Sequence, residues 1–219
     1  IPKVMQNAVL AIEDARFYQH RGVDYQGVIR AGLANFAEAR SQGASTITMQ
    51  VARNFYLPTE KTFTRKIYEI LLALKIESLL SKDQILEIYM NQIYLGQRAY
   101  GFASACEIYF GKSLKDITVA EAAMLAGLPK APSAYNPINN PKRATTRQQY
   151  IIDRMLENGF ITQQQHDQAK AEVLHYHVRE PLPLHAEFVA EAARQLIFNQ
   201  YGDDAYTRGI NVYTTIRSQ

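Results

Sequence analysis

Ser81-Lys82-Asp83-Gln84-Ile85-Leu86-Glu87-Ile88-Tyr89-Met90-Asn91 decides the fold class. Ser81 and Gln84 stand as a hydroxyl cap and a reciprocating amide three residues on, the form of a capping box. Ile85, Ile88 and Tyr89 follow at the spacing of a buried helix face, so the segment reads as a helix through about Tyr94. The same signature recurs at Thr118-Val119-Ala120-Glu121 and at Thr162-Gln163-Gln164-Gln165. Upstream, Pro2 suits a first helical position, with Val4, Met5, Ala8, Val9 and Ile12 at helical spacing behind it. Further helices are predicted over 24–39, from Thr46 through Arg53, over 64–80, from Asn140-Pro141 to Gly159, and over 184–201. Residues 129–141 carry four prolines and read as a loop of defined turns. Only Gly209–Ile216 alternates like a strand. The prediction is a mainly α domain with one short terminal strand.

Composition narrows the class of protein. The chain has 219 residues, 47% hydrophobic and 21% charged, which excludes a disordered or collagen-like polypeptide. One cysteine, Cys106, excludes an internal disulfide framework and a cysteine-rich zinc module. No apolar run reaches about 18 residues, so no membrane-spanning helix is expected within these bounds. The opening Ile1-Pro2-Lys3 reads as the start of an excised domain whose targeting segment lies upstream. The net charge is +3, with basic residues gathered at 51–66 and 141–154. Two basic islands on a mildly acidic body suit a local anionic ligand better than nucleic acid, whose footprint is a broader stripe. Solvated helix faces would give the same counts.

Five short stretches carry residues with chemical potential. Glu13-Asp14 ends the first helix beside an apolar face, with Phe17 and His20 following; a carboxylate there has a raised pKa, which suits a general base. An exposed acidic pair is the alternative. Gly43-Ala44-Ser45-Thr46 opens a helix that includes Gln50, and small residues at a helix start can seat phosphate oxygens or serve only as a cap. Arg65, Lys66 and Glu69 fall near one helix face, either clamping a pyrophosphate or forming surface ion pairs. Spacing does not choose between these. Lys82–Asn91 and Arg147–Met155 read as architecture.

Taken in order, the five stretches EDARFYQHRG, GASTITMQ, RKIYE, KDQILEIYMN and RQQYIIDRM closely resemble the signature motifs of glycosyltransferase family 51, the peptidoglycan polymerase domain. IYLGQRAYGFASA, YFGK and AGLPKAPSAYNP are similar to the same domain in bifunctional class A penicillin-binding proteins of the Gram-negative type. One departure is Met49, where the second motif usually has a second glutamine.

The resemblance implies a lysozyme-like helical head with a smaller membrane-facing jaw near residues 50–75. The polymerase domain would span 1–208, and 209–219 would begin a linker toward a transpeptidase domain. It implies polymerisation of lipid II into β-1,4-linked glycan strands at the outer, periplasmic face of the bacterial cytoplasmic membrane, with release of undecaprenyl pyrophosphate. Glu13 would be the catalytic base and Glu69 a supporting carboxylate. Arg53, Arg65, Lys66 and Lys130 would line the donor pyrophosphate site, with Ser45, Thr46 and Gln50 in the same cleft and Asp14, Phe17 and His20 around the base. Glu13 and Glu69 would face one cleft without touching. A divalent cation, magnesium or manganese, is compatible with Glu69; no organic cofactor and no nucleic acid are implied. In the jaw, Phe55, Tyr56, Leu57 and Phe63 interleave with Lys61, Arg65 and Lys66, as an interfacial segment requires, and loop 54–63 is expected to be mobile. The competing readings are a lysozyme-like lytic transglycosylase, which needs no basic pyrophosphate site, and a non-catalytic helical module. Neither Ser-x-x-Lys nor Lys-Thr-Gly occurs, so penicillin-type acyl transfer does not reside here.

Overall fold

The computed structural model describes residues 1–27, 45–56, 63–177, 187–202, 204–207 and 209–215. Ten α-helices occur among them: α1 (Lys3–Glu13), α2 (Ile47–Tyr56), α3 (Phe63–Leu79), α4 (Lys82–Gln92), α5 (Phe102–Phe110), α6 (Val119–Ala126), α7 (Pro141–Glu157), α8 (Gln163–Ala171), α9 (Glu187–Tyr201) and the single turn α10 (Asp204–Thr207). The fold is mainly helical, as the sequence predicts. The chain packs as two compact units, 1–178 and 179–219.

Local chemistry sets the helix starts. Ser81, Thr118 and Thr162 each accept from the backbone N–H three residues on, and Gln84, Glu121 and Gln165 each return a bond to the cap, so all three predicted capping boxes are present. Pro141 occupies the first turn of α7, where its missing N–H costs nothing.

In the first unit, α1 packs against α6 and α7 while α2 packs against α3 and α4. One core joins Met5, Val9, Ile47, Ile85, Tyr89, Phe102, Leu125 and Ile151. This places the C-terminus of α1, the middle of α2, the inner face of α4 and the N-terminal half of α7 around one neighbourhood.

Several expectations change. Helix α2 runs on to Tyr56, so residues 54–56 are helical rather than the start of a loop. Val51 and Ala52 are buried on the inner face of α2, and the helix continues one turn beyond them. Helix α5 has no counterpart in the sequence reading; it buries Phe102, Ala105, Cys106 and Tyr109 on one face and exposes Ala103, Ser104 and Glu107. Gly101 precedes it at φ 78°, where a Cβ would lie 2.4 Å from the carbonyl oxygen of Asn91, so only glycine fits. Residues 209–215 form no strand, because a strand needs a hydrogen-bonding partner and none lies beside them among the described residues. Most of the predicted 24–39 helix, Gly43, Ala44, Leu57 and Lys61 lie outside the described residues.

Candidate active site

Glu13 is the last residue of α1, half-buried, with its carboxylate aimed at α2. Gln50 Nε2 donates to Glu13 Oε2 at 2.7 Å, and Tyr89 Oη on α4 donates to Gln50 Oε1 at 3.4 Å. Burial pushes the Glu13 carboxyl above the usual carboxylate range. The Gln50 hydrogen bond and the positive charges of Arg147, Arg53 and Lys130 oppose that rise without overcoming it. Burial, reinforced by the Glu13 charge, drives the Tyr89 phenol well above its ordinary value, so Tyr89 stays a neutral donor. The result is a carboxylate with elevated proton affinity in a positive surround.

Asp14 turns the other way. It is 8% exposed, takes His20 Nε2 at 2.9 and 3.0 Å, and accepts the Ile47 N–H at 3.1 Å. That bond satisfies an N–H at the start of α2, where a carboxylate also meets the positive end of the helix dipole. Thr46 Oγ1 caps α2 by accepting the Met49 N–H at 3.2 Å, and donates to the Gly22 carbonyl at 2.6 Å. Phe17 is 1% exposed, buried in the core with Lys82 Nζ 4.3 Å from its ring centroid. These four side chains brace the site from behind. Phe17 in particular, expected around the base on the cleft wall, is core: a ring this apolar gains more from full burial than from lining an open cleft.

Ser45 accepts from Lys66 Nζ at 2.7 Å, and Lys66 Nζ also meets Glu69 Oε2 at 2.9 Å. Arg65 Nε lies 3.3 Å from Glu69 Oε1, and the Glu69 side chain is 1% exposed. The Glu69 carboxylate is buried, whereas the Lys66 that pairs with it stays 41% exposed. Glu13 and Glu69 share no hydrogen bond or ion pair; Gln50 of α2 holds Glu13, and Ser45, just ahead of α2, meets the Lys66 that pairs with Glu69. The residues around Glu69 do not suit a resident divalent ion: each oxygen faces a cation, and no group of three or more His, Cys, Asp or Glu gathers among the described residues.

Two contributors escaped the sequence reading. The positive charge of Arg147 favours ionised Glu13, and Tyr89, read as plain core, reaches it through Gln50. Both lie in motifs, RQQYIIDRM and KDQILEIYMN, whose helical spacing reads as architecture. On a different side of α2, Val51 and Phe55 join Ile76, Leu80, Ile88, Glu87 and Asn91 in lining a cavity of about 500 Å³.

A family model described as transglycosylase matches residues 1–156. The chain belongs to the transglycosylase family. This transglycosylase chain is 63% identical over 99% of its length to penicillin-binding protein 1A of Neisseria lactamica, and 62% identical over 99% to that of Neisseria gonorrhoeae. It spans 27% of the length of each. Over 80% of the chain it is 63% identical to a Cupriavidus necator protein named as a transglycosylase, covering 75% of that protein. The crystal structure of penicillin-binding protein 1A from Haemophilus influenzae matches with a TM-score of 0.52 and 33% identity, over 72% of this chain and 20% of that one. The transglycosylase is thus an enzyme of the peptidoglycan glycosyltransferase class.

Proposed function

We propose that this chain polymerises lipid II, with Glu13 as the general base of a single inverting displacement. The observation that carries the reading is the half-buried Glu13 carboxylate, its proton affinity raised by burial, held by Gln50 at 2.7 Å amid three cations. A sugar hydroxyl is a weak nucleophile, so its proton must leave as it attacks. Glu13 takes the proton of the acceptor GlcNAc 4-hydroxyl while that oxygen bonds to C1 of the donor MurNAc. The C1–O bond to undecaprenyl pyrophosphate breaks, and the α-linked donor becomes a β-1,4 linkage.

Charge builds on the departing pyrophosphate, and fixed cations stabilise it without reorganising. Arg53, Arg65, Lys66 and Lys130 fill that role here. Buried Glu69 holds Arg65 and Lys66 in place, which assigns it orientation of the cations rather than proton transfer. No metal takes part in this scheme.

Exposed Phe55, Ile67, Tyr68, Leu71 and Leu74 on α2 and α3 support a jaw that meets the outer face of the cytoplasmic membrane, since apolar groups beside Arg65 and Lys66 suit an interface. Side chains of Tyr56, Leu57, Lys61 and Phe63 fall outside the described residues. No helix among the described residues is long and apolar enough to cross a membrane. Because the chain spans 27% of the length of the penicillin-binding proteins it matches, we assign anchoring and penicillin-type chemistry to other parts of the full-length protein.

Glu13→Gln keeps the shape of the side chain and removes the base. Lipid II binding is expected to persist while glycan polymer disappears on gels. Unchanged polymer synthesis would remove Glu13 from the mechanism, and release of fragments from purified glycan would favour a lytic enzyme instead.

A further inference from the structure

We infer that Arg147 is a positioning residue of this site: one guanidinium ties both ends of the Gly127–Tyr135 segment, which carries Lys130, to α7. The inference rests on the reading of Glu13 as base and deepens it.

The tie has two ends. Arg147 Nε donates to the Gly127 carbonyl at 3.0 Å, and its Cζ lies 5.0 Å from the centre of the Tyr135 ring. Arg143, one turn earlier on α7, approaches the same ring at 5.2 Å. A planar guanidinium can stack and donate in its own plane at once, which an ammonium cannot. Gly127 has an ordinary helical φ of −76°, so its freedom of rotation is not in use. Space is the issue. A Cβ there would stand 3.2 Å from the Met124 carbonyl oxygen and 3.4 Å from both Arg147 Cγ and Ile151 Cδ1.

Between the two ends the chain is stiff. Ala131 N–H donates to the Leu128 carbonyl at 3.1 Å, and the N–H groups of Ala134 and Tyr135 both donate to the Ala131 carbonyl at 3.0 Å. Fixing the ends of such a segment fixes what it carries, and Lys130 is its exposed cation. The charge argument is separate. Arg147, like Arg53 and Lys130, favours the ionised form of Glu13, and a guanidinium stays protonated at any working pH.

The test measures lipid II polymerisation by the full-length protein as kcat and KM against pH, beside thermal melts, for Arg147→Met and Arg147→Lys. Arg147→Met removes a charge that favours the ionised base, so the acid limb of kcat/KM moves to higher pH. Arg147→Lys keeps the charge but not the tie; its acid limb stays while KM rises about tenfold, the scale of one charge-assisted hydrogen bond. A folded Arg147→Met with the wild-type acid limb overturns the electrostatic half. Arg147→Lys with a wild-type KM overturns the positioning half. Should Arg147→Met fail to fold, a shifted limb in the charge-retaining Arg147→Lys overturns the electrostatic half instead. Failure of the base assignment looks different: Glu13→Gln would then keep polymerising, whatever the Arg147 variants do.

Discussion

Replacing Asp14 by alanine should loosen the front of α2, although the residue neighbours the candidate base in sequence. Asp14 and His20 are both buried, and the carboxylate accepts from His20 Nε2 at 2.9 and 3.0 Å and from the Ile47 N–H at 3.1 Å. Leaving a buried hydrogen-bonding group without its partner costs about 1–3 kcal/mol. His20 is especially exposed to that loss, since its Nδ1 has no hydrogen-bond partner among the described residues. The bond to the start of α2 belongs to the same sum, with about 1 kcal/mol expected for a carboxylate at a helix N-terminus. For a domain of 150–250 residues each kcal/mol shifts Tm by about 2–4 °C, so the combined loss of about 2–4 kcal/mol in Asp14→Ala should lower the melting point by roughly 4–16 °C. Circular dichroism melts at 222 nm measure this. Urea unfolding should show a lower midpoint with the slope unchanged, the mark of lost stability in an intact fold. Asp14→Asn, which retains one oxygen acceptor, should fall between. A melting point for Asp14→Ala within about 2 °C of wild type would refute the reasoning, because a side chain that merely lined a cleft costs little to remove.

Further outcomes follow from the same geometry. Gln50→Leu deletes the 2.7 Å bond that favours ionised Glu13, so the Glu13 pKa rises further and the acid limb of the rate profile moves to higher pH; an unmoved limb counts against Gln50 as the holder of the base. His166 on α8 meets Asp153 Oδ1 at 2.9 Å and Asp167 Oδ1 at 2.8 Å through its two ring nitrogens, and those bonds raise its pKa above 6.5. Its contribution is fully present below pH 6.5 and lost as pH rises through the folded value. Hydrogen exchange of α8 amides, corrected for intrinsic rate, should therefore show less protection at pH 9 than at pH 6, and His166→Asn should erase the difference.

Short-range physics made much of this molecule legible. A hydroxyl at 81, 118 or 162 with an amide or carboxyl three residues later satisfies its own backbone donors, so those helix starts needed no tertiary information. The same holds for Pro141 at the head of α7, and for Glu13 at the polar end of an apolar helix. Helix α5 was harder to read, because only Ser104 and Glu107 are polar, so the face that buries Phe102, Ala105, Cys106 and Tyr109 contrasts weakly with the exposed one. Alternation at 209–215 suggested a strand, but alternation fixes only which side chains share a face, and pairing is decided elsewhere in the chain.

The sequence by itself determined that the chain is helical, where most helices begin, and which carboxylate ends the first of them. Tertiary structure alone decided which way neighbouring acids face: Glu13 toward Gln50, Asp14 toward His20 and the start of α2. It also decided that Arg147 and Tyr89, spaced like ordinary helix residues, act on Glu13. The physical reason is range. Caps and turns are closed by atoms a few residues apart, whereas the burial and charge that tune a carboxylate come from helices the chain brings together only when it folds.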